Sequence, residues 1–288
     1  MTELFLATGK GHRDENFPVA SALIAKRHRP VVMAFYRVAR MSDDIADHAT
    51  ATAQAKLDQL ATIERSLTGA AATVPEAVAL RNILSERGIS PGHALDLLTA
   101  FRRDVTQNRY ADWADLMDYC RYSAAPVGRF ILDVHGEAKT TWPVSDALCA
   151  ALQVINHLQD CGKDYRQIDR VYLPADALAA AGVEVAALGD GAASPALHGV
   201  IGDLARRTAT LLDQAMPLAG QVRDRRLSLE IGVIHRLAVS LNTRLLNRDP
   251  LSEPVHHRPW EAMGGALLGA GDAITARLRA RQNRRAAA

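Results

Sequence analysis

The sequence predicts an all-α fold, helices arranged around a central cavity, on three observations. Alanine and leucine dominate the composition, apolar residues recur three and four apart, and period-two alternation of β-branched residues is almost absent. Hydrophobic residues make up 48% of the 288 and charged residues 23%, the balance of a globular chain with material for a sizeable core.

The elements can be justified in order. The run FYRVARMSDDIADH, from Phe35 to His48, reads as the first well-marked helix. A break from Thr68 to Pro75 follows. Ser90-Pro91 supplies an N-cap and a first-turn proline, and Asp112 followed by Asp115 marks another start. The run YCRYSAAPVG, from Tyr119 to Gly128, is a helix that turns rich in small residues and bends at Pro126. Such residues admit either a bulky ligand or a close neighbouring helix. After a break from Gly136 to Pro143, Ser145 before Asp146 caps the helix carrying QVINHLQDCGKDY, Gln153 to Tyr165. Further breaks fall at Tyr172 to Pro174, Gly189 to Pro195 and Arg248 to Pro259. None is long or biased enough to be a linker. The expectation is one domain over residues 1–288, with about ten or more helices.

Several function classes are excluded. A formal net charge of +2 gives no basis for nucleic-acid binding. Cys120, Cys149 and Cys161 are an odd set without metal-ligand spacing, which indicates a reduced cytoplasmic setting; Cys161 reads as a small packing residue. No apolar run approaches the roughly 20 residues needed to cross a bilayer. The stretch MTELFLATGKGHRDEN lacks the apolar core of a signal peptide. Gly9-Lys10-Gly11 lacks P-loop spacing, the GGALLGAG run from Gly264 follows no strand, and neither G-x-S-x-G nor H-E-x-x-H occurs. His256-His257 reads as solvated in a proline-bounded loop.

The C-terminal end carries Arg277, Arg279, Arg281, Arg284 and Arg285 behind Trp260, Met263, Leu267 and Leu268. Two readings stand. The end, about 275–288, makes peripheral contact with an anionic membrane surface on the inner, cytoplasmic face. Alternatively it is a solvated or disordered basic tail whose charge complements the last helix dipole.

The chemistry lies in two stretches that each carry aspartates four apart, Asp43 with Asp47 and Asp160 with Asp164. Carboxylates stacked this way repel by roughly 0.2–0.5 kcal/mol per exposed pair, so doing it twice in otherwise apolar helices implies a cation. Mg²⁺ suits such sites, taking one or two carboxylates and completing its shell with water and substrate phosphate. Tyr36, Arg40, Asp43 and Asp47 fall on one helical stripe, and Gln153, Asn156, Asp160 and Asp164 on another. The second stripe is narrow on an apolar cylinder and suits a cavity wall. Arg37 and Asp44 widen the first, which also fits a surface helix.

Facing pairs loaded with Mg²⁺ suit a diphosphate leaving group. Arg37 and Arg40 beside the first pair, with Lys163, Arg166 and Arg170 after the second, would complete the clamp. Loss of an allylic or cyclopropylcarbinyl diphosphate leaves a carbocation, which needs an apolar, aromatic lining; Tyr36, Tyr119 and Tyr172 are the candidates. Tyr122 reads as a core tyrosine. Asp104, flanked by Arg102 and Arg103, reads as a salt-bridged surface patch, and His157 as a ligand or a gate.

These residues resemble the squalene/phytoene synthase family, head-to-head prenyl-diphosphate synthases with the all-α isoprenoid-synthase fold. From about Asn16 to Pro174 the likeness rests on Asp43 and Asp47 with Tyr36 and Arg40 upstream. It rests equally on Tyr119…Val127-Gly128, and on Gln153, Asn156, Asp160 and Asp164 followed by Arg170-Val171-Tyr172-Leu173-Pro174. The resemblance implies Mg²⁺ on Asp43, Asp47, Asp160 and Asp164, diphosphate contacts from Arg40, Gln153 and Asn156, and Tyr36 and Tyr172 near the reacting carbons.

Within the family, ENFPVAS near Asn16, FYRVAR…DDIAD, AAPVGR and NHLQD look most like the bacterial members of hopanoid biosynthesis. That likeness implies a small-molecule isoprenoid diphosphate, presqualene diphosphate, as substrate. It also implies capture of the rearranged cation by water to give hydroxysqualene, without NADPH, beside other hopanoid-pathway enzymes. Gln159 stands where condensing members usually carry arginine, which leans away from holding a second diphosphate. The rival reading is a presqualene diphosphate, squalene or phytoene synthase condensing two prenyl diphosphates. A non-catalytic helical assembly factor is the rival of another class, and it would not need the four carboxylates.

Overall fold

The computed structural model describes residues 24–286, and side chains as far as residue 282. ENFPVAS and Gly9-Lys10-Gly11 therefore lie outside the described residues. Among these residues the chain forms α1 (Arg29–Ala46), α2 (Ala53–Thr68), α3 (Pro75–Glu86), α4 (Gly92–Thr106), α5 (Trp113–Ser123) and α6 (Ala125–Val134). It continues through α7 (Trp142–Gln159), α8 (Cys161–Ile168), α9 (Ala175–Ala180), α10 (Pro195–Ala215), α11 (Leu218–Gln221), α12 (Arg225–Leu245) and α13 (Pro259–Ala286). No strand forms among the described residues, only one isolated bridge between Arg109 and Val171.

Local chemistry sets the helix starts. The side chains of Thr52, Asp112, Ser194 and Asp224 each accept a backbone N–H of the first turn, from Ala55, Asp115, Leu197 and Arg226 respectively. Prolines occupy the first turns of α1, α3, α6, α7 and α10, where no N–H is missed. Two expected caps move. Pro91, not Ser90, is the N-cap of α4. Ser145 caps nothing: α7 begins at Trp142, and Ser145 is buried against α6.

That α6–α7 contact resolves the small residues after Tyr119. A Cβ on Gly128 would come within 2.5 Å of both Ser145 Oγ and Cys149 Sγ, so the glycine admits a neighbouring helix rather than a ligand.

The core forms two apolar clusters. One joins α1–α4 through Phe35, Ile45, Ile63, Leu80 and Leu98, with Phe130 of α6 stacked on Phe35 at 3.9 Å between ring centroids. The other gathers Leu148, Val154 and Ile155 of α7 with Leu204 of α10 and Leu241 of α12. Burial of such faces is the main favourable term, worth about 25 cal/mol per Å² of apolar surface.

The second aspartate stretch is not one continuous helix. Asp160 has φ −100° and ψ 7°, ending α7 and starting α8, although Asp160 N–H still bonds the Asn156 carbonyl and Asp164 N–H the Asp160 carbonyl. Beyond α8, Asp169 is the one described non-glycine residue at positive φ, 51°. Arg109 donates to both its carbonyl and its carboxylate, which holds this left-handed turn and aims Arg170 back into the protein.

Candidate active site

A cavity of about 320 Å³ opens where α1, α4, α5, α7 and α8 meet. From α1 come Tyr36, Arg40 and Asp43, with Asp47 at its C-cap; Tyr119 comes from α5, Gln153 from α7 and Asp164 from α8. Arg170 and Tyr172, after the Asp169 turn, close the wall. Nine of the residues singled out from sequence thus meet in one place.

Five do not line that cavity. Arg37 points to solvent and Asn156 is half-buried on α7. Asp160 and Lys163 stand at the kink, 3.8 Å apart, with 36% and 47% of their side chains exposed. Arg166 packs toward the Leu188 carbonyl rather than the cavity. The α7 break explains the shift: it turns Asp160 off the stripe that an unbroken helix would have kept.

Arg170 is the hub. Its Nη1 lies 3.0 Å from Asp47 Oδ1 and its Nη2 donates to the Asp104 carbonyl at 3.0 Å, while its backbone N–H bonds the Asp164 carbonyl. One residue therefore ties the first aspartate stretch to the second. Burial opposes its charge, but the acidic groups of Tyr172, Asp104 and Asp47 outweigh that and raise its pKa.

Asp104 is a correction. It is buried and accepts the Tyr119 hydroxyl at 3.0 Å, while Arg102 pairs with Glu64 and Arg103 with Asp115 and Asp118. Its chain neighbours point outward because adjacent residues on a helix lie about 100° apart. Burial lifts Asp104 to about 6, against the pull of Arg170 and Tyr119. Tyr110 went unnoticed in the sequence. It sits between helices, where no periodicity marks it, and stacks on Tyr172 at 5.4 Å.

His157, read as a ligand or a gate, is buried in the cavity wall. Its ring stacks on Tyr172 with centroids 3.3 Å apart and pairs with Gln153 at 3.1 Å. Burial, then Arg170, drives its pKa down to about 3, so it stays neutral near pH 7. Cys161 and Tyr122 behave as read: the thiol is buried and pushed up to about 12, and Tyr122 packs against the core. Gln159 is buried with its amide donating to the Val255 carbonyl and pairing with His256, so that histidine is exposed yet engaged.

The electrostatics favour a cation. Asp43 keeps 40% of its side chain open to the cavity, yet the enclosing protein, then the Asp47 charge, pushes its pKa up to about 7 against the pull of Arg40. Arg40 is itself held between Asp43, at 3.0 Å, and Asp44. Burial, then Asp160, with Asp47 adding, lifts Asp164 to about 7 as well. Among the described residues, no three carboxylate, imidazole or thiol donors close around a single ion position. These residues fit Mg²⁺ bound by one or two carboxylates at a time, with phosphate and water oxygens completing the shell.

A second cavity of about 330 Å³ adjoins the first and shares Tyr36, Ala39 and Val127 with it. Its wall is mainly apolar, from Phe35 and Phe130 through Leu148 and Leu152 to Leu227 and Ile231, with Ser145 and Glu230 among the lining residues. The charged chamber and the greasy one thus lie side by side, with Tyr36, Ala39 and Val127 between them. Such a pair suits a molecule with an anionic head and a hydrocarbon tail.

Comparisons with known proteins agree with this geometry. The family model described as squalene/phytoene synthase matches residues 11–261. The chain is 57% identical over 256 residues to a hydroxysqualene synthase of Rhodopseudomonas palustris, covering 89% of this chain and 88% of that one. It is 51% identical over 267 residues to a hydroxysqualene synthase of Zymomonas mobilis, covering 92% and 90%. Among solved structures, squalene synthase HpnC from Alicyclobacillus acidocaldarius matches with a TM-score of 0.71 at 30% identity, over 79% of this chain and 86% of that one. The chain is an enzyme of the all-helical isoprenoid-synthase fold and belongs to the squalene/phytoene synthase family.

Proposed function

We propose that this enzyme converts presqualene diphosphate and water into hydroxysqualene and diphosphate. The observation that carries this reading is the paired cavity: an acidic chamber spanned by Arg170, adjoining an apolar one at Tyr36 and Val127. The names of its close relatives point to the same reaction.

In this reading Asp43, Asp47, Asp160 and Asp164 would hold Mg²⁺, which would supply charge neutralisation of the diphosphate and Lewis-acid help to its departure. Arg40 and Arg170 orient the diphosphate, and Gln153, Asn156 and Lys163 contact it toward the kink. Tyr36, Tyr119 and Tyr172 present ring faces to the carbocation. His157 backs Tyr172 as a neutral imidazole and so adds no repelling charge. The apolar chamber keeps stray water from the reacting carbons. Exchange of diphosphate for hydroxyl is redox-neutral, so no NADPH is required. The reading places the product in hopanoid biosynthesis and the enzyme at a lipid surface, because substrate and product both carry long hydrocarbon chains.

The test supplies Mg²⁺ and either farnesyl diphosphate or presqualene diphosphate, with product analysis and diphosphate release as readouts. Hydroxysqualene should form from presqualene diphosphate alone, with the same yield whether or not NADPH is added. Release of diphosphate from farnesyl diphosphate alone would mark the enzyme as condensing and overturn the reading.

A further inference from the structure

The last helix is built inside out. Its large apolar side chains Trp260, Met263, Leu267, Ile274 and Leu278 recur at i, i+3, i+7, i+14 and i+18, one stripe about 27 Å long, and all are exposed; Leu267 reaches 75%. The face turned inward is made of small residues instead. A Cβ on Gly269 would come within 2.5 Å of the Gly232 carbonyl oxygen on α12, and one on Gly220 of α11 within 2.9 Å of the Ala276 carbonyl oxygen. A surface helix ordinarily buries its bulky apolar residues and shows its polar ones. Here the fold spends glycine and alanine on the seat and leaves a contiguous greasy ridge outside.

Charge decides what the ridge meets. The two acids of α13 are engaged by α12, Glu261 with Arg244 at 2.9 Å and Asp272 with Arg236 at 3.1 Å. Arg281 is exposed and continues the stripe one turn beyond Leu278, and Arg279 is exposed about 100° round the helix from Leu278. Arg223 and Arg225 are exposed at the start of α12, next to Arg277, whose guanidinium locks α13 to the Val222 and Arg223 carbonyls. Near this rim, Asp224 is taken up capping α12 and Glu137 accepts the Arg223 and Asp224 N–H groups. A basic rim around an apolar ridge complements an anionic lipid surface, into which the ridge sinks while the arginines reach the headgroups. No described helix is long and apolar enough to cross a membrane, so the contact lies in the interface.

The inside of the molecule agrees. Ile231 of α12 lines the apolar chamber and also the groove beside α13, with Met216, Val239 and Ala273. The chamber therefore ends one side chain away from the groove that flanks the seat of α13.

We propose that the outward face of α13, with its arginine rim, docks the protein on an anionic bilayer, bringing the apolar chamber to the lipid that holds its long-chain ligand. This deepens the membrane side of the proposed function and rests on that reading only for what is delivered. The test is flotation of the full chain with vesicles of pure phosphatidylcholine and of equal parts phosphatidylcholine and phosphatidylglycerol. Turnover of detergent-dispersed presqualene diphosphate is measured separately, so loss of docking and loss of activity are read independently.

Binding should be confined to the anionic vesicles and weaken with salt, each arginine contributing about fivefold. Leu267→Glu with Leu278→Glu should cut it about tenfold or more per position while leaving detergent turnover intact. R279E with R281E should weaken it as well. Failure of the parent chain to float, or flotation of the double glutamate variant at parental levels, would overturn the proposal. So would a concentration-dependent dimer that the glutamates abolish in a chain that ignores vesicles, since the ridge would then be an interface between copies.

Discussion

Arg170 shows how much one side chain decides here. Its planar fork meets Asp47, the Asp104 carbonyl and the Tyr172 hydroxyl in different directions, an arrangement a lysine point charge cannot reproduce. Arg170→Lys should therefore fold and keep the charge, yet lose most of its turnover, by about 10²-fold or more in steady-state assays. It should also lose about 1–3 kcal/mol in a denaturant titration, because acceptors within the wall lose their donor. Asp160 is the opposite case, half-exposed and off the cavity wall. Asp160→Asn should lower turnover by about 10²-fold at saturating Mg²⁺ with an unchanged helical circular-dichroism spectrum. Near-normal turnover would remove this residue from the site.

At the scale of elements, helix contacts are set as much by absent side chains as by present ones. Gly232 and Gly269 let α12 and α13 touch backbone to backbone, while Gly271 of the same helix has nothing within 4 Å of a built Cβ. Gly232→Ala should thus destabilise by about 1–3 kcal/mol through overpacking. Gly271→Ala should stabilise by about 0.5–1 kcal/mol through helix propensity alone. Thermal or denaturant unfolding of the two variants distinguishes packing from propensity. The α7–α8 break is the other element-scale result. Its carboxylates keep their i,i+4 spacing through the kink, but the change of axis separates their surroundings.

For the whole molecule, the acidic chamber makes stability and cation binding depend on pH. Asp43 rises from an ordinary 3.8 to about 7 in the folded protein. Between those values the folded state holds a proton that the unfolded state has released, so this group's contribution falls as pH rises from about 4 to about 7. Asp164 acts in the same direction. The buried His157 acts oppositely, since its folded pKa is lowered and it favours folding as pH rises toward its ordinary value of 6.5. A variant isolates the carboxylate. In Mg²⁺-free protein, Asp43→Asn should be more stable than the parent at about pH 8 and not at about pH 5. In the parent, Mg²⁺ should displace protons below about pH 7 and few above about pH 8, because bound carboxylates must be ionised. Calorimetry in buffers of different ionisation heat counts those protons.

The sequence by itself determined the helical class, most breaks, and the identity of the two aspartate stretches. Each is written in local terms: periodicity, capping side chains, prolines, and spacing along one chain. Asp43, Asp47, Asp164, Tyr36 and Arg170 were legible because their motifs are contiguous. Only the tertiary structure decided that Asp104 faces inward, that Tyr110 and His157 brace Tyr172, that Asp160 sits at a kink, and that α13 turns its large side chains outward. These depend on which elements lie against each other. A carboxylate beside two arginines, or a leucine on a helix, carries the same sequence signal whether a neighbour covers it or not.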